Sequence, residues 1–351
     1  MAKQAKKIVI KIGSSVIAPK GKIDSDLVSR LVNDILLVEK KGYKVIVVSS
    51  GAIACGLNQV KLKKKPKDMH SLMAISSLGQ IMLMDVFNTK FKKYKRISAQ
   101  VLLTWDDFDN RKRFINIQKT IDKLLTMNVI PVINENDVIS CEEICFGDND
   151  RLSALVAGLI EADKLIILSD VQGLQKGEEV IPRVERIGVE ILSLARKEDK
   201  THTAGGMIAK LQAVKVAVSS GVETVIACGK EKEVVSRLIN RESLGTLFVA
   251  DKKKHKARKR WIAFSKKPKG VIFIDAGAKE AIINNGKSLL GVGIVKVEGF
   301  FKKRDAVIIL DEQGLMVGSG LINYSCEDLT DIKSKKFVKE VIHRNDFVRS
   351  N

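Results

Sequence analysis

Short apolar runs rich in valine, isoleucine and leucine alternate with longer segments whose apolar residues recur at helical spacing. The pattern predicts strands at 8–12, 44–49, 96–103, 129–133, 164–168 and 224–227, and helices at 26–41, 73–91, 151–160 and 207–220. Such alternation is typical of βαβ units, whose right-handed crossovers build a parallel sheet covered by helices. We therefore predict an α/β fold over residues 1–251, a three-layer α/β/α sandwich with a mainly parallel central sheet.

The character of the chain changes after residue 251. Residues 252–269 form a basic connector dense in lysine and arginine. Beyond it, short apolar runs at 271–274, 293–298, 306–310 and 315–321 are separated by glycine turns. Short strands at this spacing favour a small β-barrel over continued βαβ winding, so we predict a second domain at 270–351.

The longest apolar helical pattern is at 73–91. Its spacing assigns Leu78, Met82, Val86 and Phe87 to the core rather than to a cofactor pocket. The apolar strand runs are far too short to cross a bilayer, and the N-terminus lacks the apolar region and cleavage site of an export signal. We expect a protein without a membrane span that works in the cytoplasm.

The chain has 61 lysines and arginines against 41 aspartates and glutamates, a formal net charge of +20. Clustered cations would indicate nucleic-acid binding, since they neutralise phosphates and release counterions. Apart from 61–65 and 252–269, however, the lysines fall singly on predicted helix faces. The charge is therefore typical of lysine-rich usage, with anionic substrates as a secondary benefit, and RNA binding stays an alternative of a different class.

Five cysteines and four histidines are scattered without metal-ligand spacing. Cys141 and Cys145 have no second pair or histidine cluster that would complete a zinc site. We predict free thiols and no metal held by histidine or cysteine.

Three segments place backbone N–H groups and lysines where a phosphate could bind. Lys11 ends the first strand and is followed by a turn at Gly13. Ser50 follows the second strand, where its hydroxyl suits either an anion or a helix N-cap. Segment 204–210 opens a helix with Lys210 in its first turn, and a plain loop-to-helix junction is the alternative. None of the three matches the Gly-x-x-x-x-Gly-Lys-Ser/Thr phosphate loop.

Acidic and amide side chains cluster at 134–137 and 148–150. Ligands of open α/β sheets bind at the carboxyl ends of parallel strands, so we expect these clusters to meet the lysines there. Two lysines with Asp150 between them suit phosphoryl transfer, which depends on charge stabilisation and alignment. The first cluster is expensive to bury without a ligand and suits the ammonium group of an amino acid.

Segments 9–16, 49–54, 132–137, 147–150 and 245–248 together resemble the amino acid kinase family, and within it the members that phosphorylate glutamate. The motifs occur in the family's order and span the first domain. Residues 270–349 resemble the PUA module, a small β-barrel appended to bacterial enzymes of this kind. The resemblance therefore implies the amino acid kinase fold followed by a PUA-like domain.

The resemblance also implies a role for each matching residue. Lys11 and Lys210 would contact ATP phosphates and stabilise the transferring group, with Asp150 orienting them. The implied glutamate ligands are Ser50, Asp137 and Asn149. The implied ATP-binding residues are Lys11, Ser169, Asp170, Ala204, Gly205, Gly206, Met207, Ile208, Ala209 and Lys210. The family usually has threonine where Ala204 and Ala209 stand, so two hydroxyls are missing while the N–H groups and Lys210 remain.

The implied reaction is ATP-dependent phosphorylation of the γ-carboxylate of L-glutamate, the first step of proline synthesis. A carboxylate with a pKa of about 4.3 is already ionised at neutral pH, so no general base is required. Mg²⁺ would be held mainly through the ATP phosphates, without protein ligands. The implied partners are proline as feedback inhibitor, glutamyl phosphate reductase, and further copies of the chain in dimers or tetramers.

Two alternatives stay open on the sequence alone. A sibling kinase acting on uridylate, carbamate, aspartate or acetylglutamate would share the sheet and lysines, but would not be expected to combine segment 134–137 with a C-terminal barrel. An RNA-binding or RNA-modifying protein would use the basic connector and the PUA-like domain. For that domain we favour a spacer or regulatory role over RNA binding.

Overall fold

The computed structural model describes residues 5–60, 62, 66–140, 149–198, 206–251, 268–329 and 340–349. The chain divides into two compact units, 1–254 and 255–351. The predicted connector at 252–269 lies almost wholly outside the described residues. Each unit is built around its own sheet.

The N-terminal unit is an α/β fold with a large, mostly parallel sheet. Its strands are β1 (Lys7–Ile12), β2 (Lys44–Val48), β3 (Ile97–Leu103), β4 (Val129–Glu135), β5 (Lys164–Ser169), β6 (Gln175–Lys176), β7 (Glu179–Val180), β8 (Arg183–Val184), β9 (Glu223–Cys228) and β10 (Thr246–Phe248). The main sheet has the order β3-β4-β2-β1-β5-β9-β10-β8, and only the β9–β10 pair in it is antiparallel. The predicted fold class is confirmed.

Helices flank this sheet and connect its parallel strands. They are α1 (Ser14–Ile17), α2 (Ser25–Lys40), α3 (Ala52–Val60), α4 (Met69–Lys92), α5 (Trp105–Asp109), α6 (Arg111–Thr126), α7 (Asp150–Leu159), α8 (Val189–Glu198), α9 (Met207–Ser219) and α10 (Val234–Ile239). Short polar residues begin several of them, because a side-chain oxygen satisfies an N–H group of the first turn. Asp24 caps α2 through the N–H of Leu27 at 2.9 Å, and Asp68 caps α4 through the N–H of Ser71 at 2.9 Å.

Strand β1 lies at the centre of the sheet and is buried on both faces. Ile8, Val9, Ile10 and Ile12 are fully buried, which explains the unbroken apolar run that the sequence shows here. β1 pairs in parallel with β2 and β5, and β2 pairs with β4. The carboxyl ends of these four strands therefore meet at one edge of the sheet, where ligands of such folds bind.

Helices α3 and α4 cross at very short range because glycines face the opposite backbone. A Cβ atom at Gly79 would lie 1.8 Å from the carbonyl oxygen of Ala52, and one at Gly56 would lie 2.0 Å from that of Ile75. Since α3 begins directly after the turn at Ser50, the crossing holds α4 against the carboxyl edge of the sheet.

Within the described ranges, α4 is the one helix long and apolar enough to cross a membrane by length and composition. Here it packs on α2 and α3, and Leu72, Leu83 and Phe87 are buried. The prediction that Leu78 belongs to the core was wrong, since its side chain is 45% exposed. The buried face of this helix includes Gly79, the next residue, instead of Leu78. The side chain of Leu78 therefore points toward the exposed face.

The C-terminal unit is a small domain of short strands, as predicted. Its elements are β11 (Pro268–Ile274), α11 (Ala276–Ile283), β12 (Ile294–Gly299), β13 (Ala306–Asp311), β14 (Met316–Leu321), α12 (Cys326–Leu329) and β15 (Phe347–Arg349). The strands form one sheet in the order β12-β11-β13-β14-β15, antiparallel except for the pair β11–β13. Ile272, Val307 and Ile309 form part of a separate apolar core beneath it.

Candidate active site

Two lysines and one aspartate from distant parts of the chain meet at the carboxyl edge of the main sheet. Lys11 lies near the end of β1, Asp150 begins α7, and Lys210 lies in the first turn of α9. Lys11 Nζ is 2.6 Å from Asp150 Oδ1, and Lys210 Nζ is 3.2 Å from Asp150 Oδ2. All three side chains are buried: that of Lys11 is 0% exposed, that of Asp150 is 3% exposed and that of Lys210 is 7% exposed. Two buried ammonium groups that share one carboxylate suit an anionic ligand.

A chain of amide side chains runs along the same edge from β2 to α4. Asn149 Nδ2 donates to the carbonyl oxygen of Ser49 at 2.7 Å and to Asn134 Oδ1 at 2.6 Å. Asn134 Nδ2 then donates to Gln80 Oε1 at 2.7 Å. The backbone N–H of Asn149 also donates to Ser50 Oγ at 3.4 Å. The structure thus brings together Ser50 and Asn149, two of the three residues predicted to bind glutamate.

Asp137, the third predicted glutamate ligand, is buried just past the end of β4. Its Oδ2 accepts a hydrogen bond from Ser76 of α4, while Oδ1 has no hydrogen-bond partner among the described residues. Burial raises the pKa of Asp137 to about 6, and the hydrogen bond from Ser76 opposes that rise. A carboxylate so placed gains most from a cationic ligand, which replaces its lost hydration.

The predicted nucleotide-binding residues lie at the end of β5 and the start of α9. Ser169 ends β5 beside β1, and its hydroxyl is 3.0 Å from Oδ1 of the exposed Asp170. Gly206 precedes α9 as its N-cap. The first turn of that helix contains Met207, Ile208, Ala209 and Lys210. Ala204 and Gly205 lie outside the described residues.

Ser76 and Gln80 are residues at this site that the sequence did not single out. They lie four positions apart on α4, so they share one face of the helix. Ser76 reaches Asp137, and Gln80 reaches the amide chain through Asn134. The available signal was a polar pair at i and i+4 inside an otherwise apolar stripe, which is expensive to bury without partners.

Comparison with known families agrees with this architecture. Residues 6–228 match the model of the amino acid kinase family. The chain belongs to the amino acid kinase family. Residues 270–344 match the PUA domain, so a PUA domain follows the kinase domain. The family match contains Lys11, Asp150 and Lys210, the three charged residues that meet at the sheet edge.

Curated relatives within this amino acid kinase family align with almost the whole chain. The glutamate 5-kinase of Caldanaerobacter subterraneus is 41% identical over 361 aligned positions, 97% of each chain. That of a Thermoanaerobacter species is 40% identical over 97% of each chain. That of Teredinibacter turnerae is 38% identical over 99% of this chain and 98% of the relative. The solved carbamate kinase from Giardia lamblia bound to AMP-PNP has a TM-score of 0.49 at 22% identity, covering 71% of this chain and 99% of that one.

Proposed function

We propose that this chain transfers the γ-phosphoryl group of ATP to the γ-carboxylate of L-glutamate, forming L-glutamyl 5-phosphate and ADP as the first step of proline biosynthesis. Relatives named glutamate 5-kinase align with nearly its full length. The observation that carries the proposal is the buried cluster of Lys11, Asp150 and Lys210, because its two ammonium groups lie at the sheet edge where a nucleotide phosphate would meet an acidic acceptor.

Phosphoryl transfer to a carboxylate depends on charge stabilisation rather than proton removal. The γ-carboxyl group of glutamate has an ordinary pKa of about 4.3, so it attacks in its ionised form without a general base. The obstacles are repulsion between two anions and the charge on the transferring group. Lys11 and Lys210 offset both, and Asp150 fixes their spacing because each of its oxygens holds one ammonium group.

We propose that Mg²⁺ enters this site bound to the phosphates of ATP. Within the described residues, no group of three or more His, Cys, Asp or Glu side chains could hold a metal. Asp150 is already engaged by two lysines. Mg²⁺ commonly binds through nucleotide phosphates in kinases, where it neutralises part of their charge.

We assign the ATP phosphates to segment 204–210 and the rest of the nucleotide to Ser169 and Asp170. The start of a helix offers unpaired N–H groups and a positive dipole end to a phosphate. Since Ala204 and Ala209 have no hydroxyl, phosphate contacts from this segment would come from backbone N–H groups and from Lys210. Ser50, Asp137 and Asn149 are then left for glutamate, on the β2 and β4 side of the lysines.

An Asp137→Asn variant should have a glutamate KM raised about tenfold or more, with the ATP KM unchanged, because the α-ammonium group of glutamate loses its charged partner.

In the wild type, the glutamate KM should rise as pH falls below about 6, where Asp137 becomes protonated. A bound ammonium group favours the charged carboxylate, so glutamate binding below that pH should release a proton.

Steady-state kinetics from about pH 5 to about pH 8 on both proteins checks this expectation. The ATP KM of each protein serves as the internal control. An unchanged glutamate KM in Asp137→Asn, or a wild-type glutamate KM independent of pH, would refute the role given to Asp137.

ADP release with Mg²⁺ across a panel of acceptors tests the proposed reaction. Glutamate should support turnover, whereas aspartate, acetylglutamate, carbamate and uridylate should not. Turnover with one of those acceptors and none with glutamate would assign the chain to a sibling activity. Added proline in the same assay tests the proposed feedback inhibition.

We propose that further copies of the chain bind to an exposed apolar edge of the kinase domain. β3 ends the order of the main sheet, and its Ile97 is 66% exposed. Ile81 of the neighbouring helix α4 is 73% exposed. Exposed apolar edge strands are usually covered, so we propose a dimer or tetramer.

Glutamyl phosphate reductase is the enzyme that we propose consumes the labile product. We propose the cytoplasm as the location of the protein.

RNA binding through the C-terminal domain is a second candidate function. The PUA match and the formal net charge of +20 favour it, although we prefer a spacer or regulatory role. Tight binding of the full chain to structured RNA that weakens steeply with salt would support RNA binding. Weak binding that does not depend on RNA structure would leave the spacer or regulatory role.

A further inference from the structure

Helix α4 carries two polar side chains in a stripe that is otherwise apolar. Ser76 is buried and Gln80 is half-buried, while Leu72, Leu83 and Phe87 on the same side of the helix are buried in the core. Polar groups are expensive to place in such a stripe unless they bind something. Both residues face the end of β4, which they reach through Asp137 and Asn134.

The amide chain has one consistent direction, which fixes the orientation of Gln80. It starts at the backbone carbonyl of Ser49, which can only accept, so Asn149 must present Nδ2 to it. The same Nδ2 donates to Asn134 Oδ1, so Asn134 presents its own Nδ2 to Gln80. Gln80 must therefore accept through Oε1, and its Nε2 donor is left at the end of the chain.

This terminal donor and an unused acceptor both belong to groups on or in contact with one face of α4. Gln80 Nε2 and Asp137 Oδ1 are both buried, and neither has a hydrogen-bond partner among the described residues. Ser76, which holds Asp137, is one helical turn from Gln80, so the two groups lie near each other along α4. A buried donor and a buried acceptor left open together indicate a ligand that carries one group of each kind.

The close helix crossing keeps this pair in place. Gly79 immediately precedes Gln80, and its contact with Ala52 leaves no room for a side chain. The backbones of α3 and α4 are therefore in direct contact next to Gln80, and this contact positions the polar face of α4 at the site.

On these grounds, and resting on the proposed function, we propose that α4 selects the head group of the acceptor amino acid. Gln80 Nε2 donates to its α-carboxylate, and Asp137 Oδ1 accepts from its α-ammonium group. Ser76 acts as a positioning residue that fixes the carboxylate of Asp137. The γ-carboxylate is thereby directed away from α4 toward the lysines, and acceptors without the α-carboxylate lose one of the two anchors.

Binding calorimetry on the full chain with three ligands tests the assignment of Gln80. Glutarate lacks the α-ammonium group of glutamate, and 4-aminobutyrate lacks the α-carboxylate. Gln80→Leu should weaken glutamate and glutarate binding about tenfold to a hundredfold, and should change 4-aminobutyrate binding by less than about twofold. The matched control is Asn88→Leu, which replaces an exposed amide two turns further along α4 and should change none of the three.

Equal weakening of all three ligands would mean that Gln80 only supports the fold, and unchanged glutamate binding would also overturn the assignment. Wild-type protein that forms no ADP with glutamate would instead refute the proposed function, so the two failures are distinguishable.

A second pair of variants tests Ser76. Ser76→Ala should shift the pH profile of the glutamate KM to higher pH, because the hydrogen bond from Ser76 lowers the pKa of Asp137. Ser77→Ala, at the exposed neighbouring position, should not shift it. Identical profiles for the two serine variants would remove Ser76 from the site.

Discussion

Lys210→Ala is expected to lower kcat about a thousandfold or more while the fold persists. Cationic groups that stabilise a transferring phosphoryl group contribute factors of about 10³–10⁵ in related chemistry. The remaining pair, Lys11 and Asp150, keeps its 2.6 Å ion contact, so Asp150 itself is not left without a cation. Steady-state turnover at saturating ATP and glutamate measures the effect, and urea unfolding measures the stability.

Lys215→Ala is the matched control, because Lys215 lies on the exposed side of the same helix. It should leave both kcat and the free energy of unfolding nearly unchanged. Near-normal turnover in Lys210→Ala would remove Lys210 from the mechanism.

Asp150→Ala should abolish measurable turnover and lower the free energy of unfolding by about 3–5 kcal/mol. The reason is burial, since the side chain of Lys11 is 0% exposed and that of Lys210 is 7% exposed. Removing the carboxylate leaves two ammonium groups near each other in a region of low dielectric. Urea unfolding of wild type and variant measures the loss.

Two further variants separate this explanation from general damage. Glu223→Ala breaks an ion pair of similar length, 2.8 Å to Lys164, whose partners are 40% and 18% exposed. Its loss should stay within about 1 kcal/mol. Adding Lys11→Met to Asp150→Ala should recover part of the stability, because it removes one of the two buried ammonium groups that shared the carboxylate of Asp150. A double variant less stable than Asp150→Ala would contradict the buried-charge explanation.

The charged centre of the site could be predicted from the sequence because its residues follow strongly patterned elements. Lys11 and Asp137 come at or just after apolar strands, and Lys210 lies in the first turn of a largely apolar helix. Strand ends converge in any parallel sheet, so position along the chain was enough to group these residues. The α/β class followed from the same alternation.

The rest of the site depended on packing that the sequence does not encode locally. Ser76 and Gln80 lie inside a helix whose apolar residues dominate its pattern, and their contacts with Asp137 and Asn134 depend on how α4 packs on α3 through Gly79. The same contact sets the rotation of α4, which is why Leu78 is exposed although its spacing predicted burial.

Helix α6 was not predicted although its sequence carries the signal. Its buried residues Phe114, Ile121 and Leu125 recur at helical spacing, and the rest of its sixteen residues are mostly polar, which is typical of an amphipathic helix. β8 and β10 have two and three residues, too few for a period to be visible. They join the sheet through pairing with each other and with β9 rather than through a pattern of their own.

The most direct test is to trap the product of the full chain incubated with ATP, Mg²⁺ and glutamate. Hydroxylamine converts an acyl phosphate into a hydroxamate and leaves the free carboxylate unreacted. We expect γ-glutamyl hydroxamate and ADP in equal amounts, with both lost in Lys210→Ala. ADP formation that does not depend on glutamate, or hydroxamate on the α-carboxyl group, would contradict transfer to the γ-carboxylate beneath the two lysines.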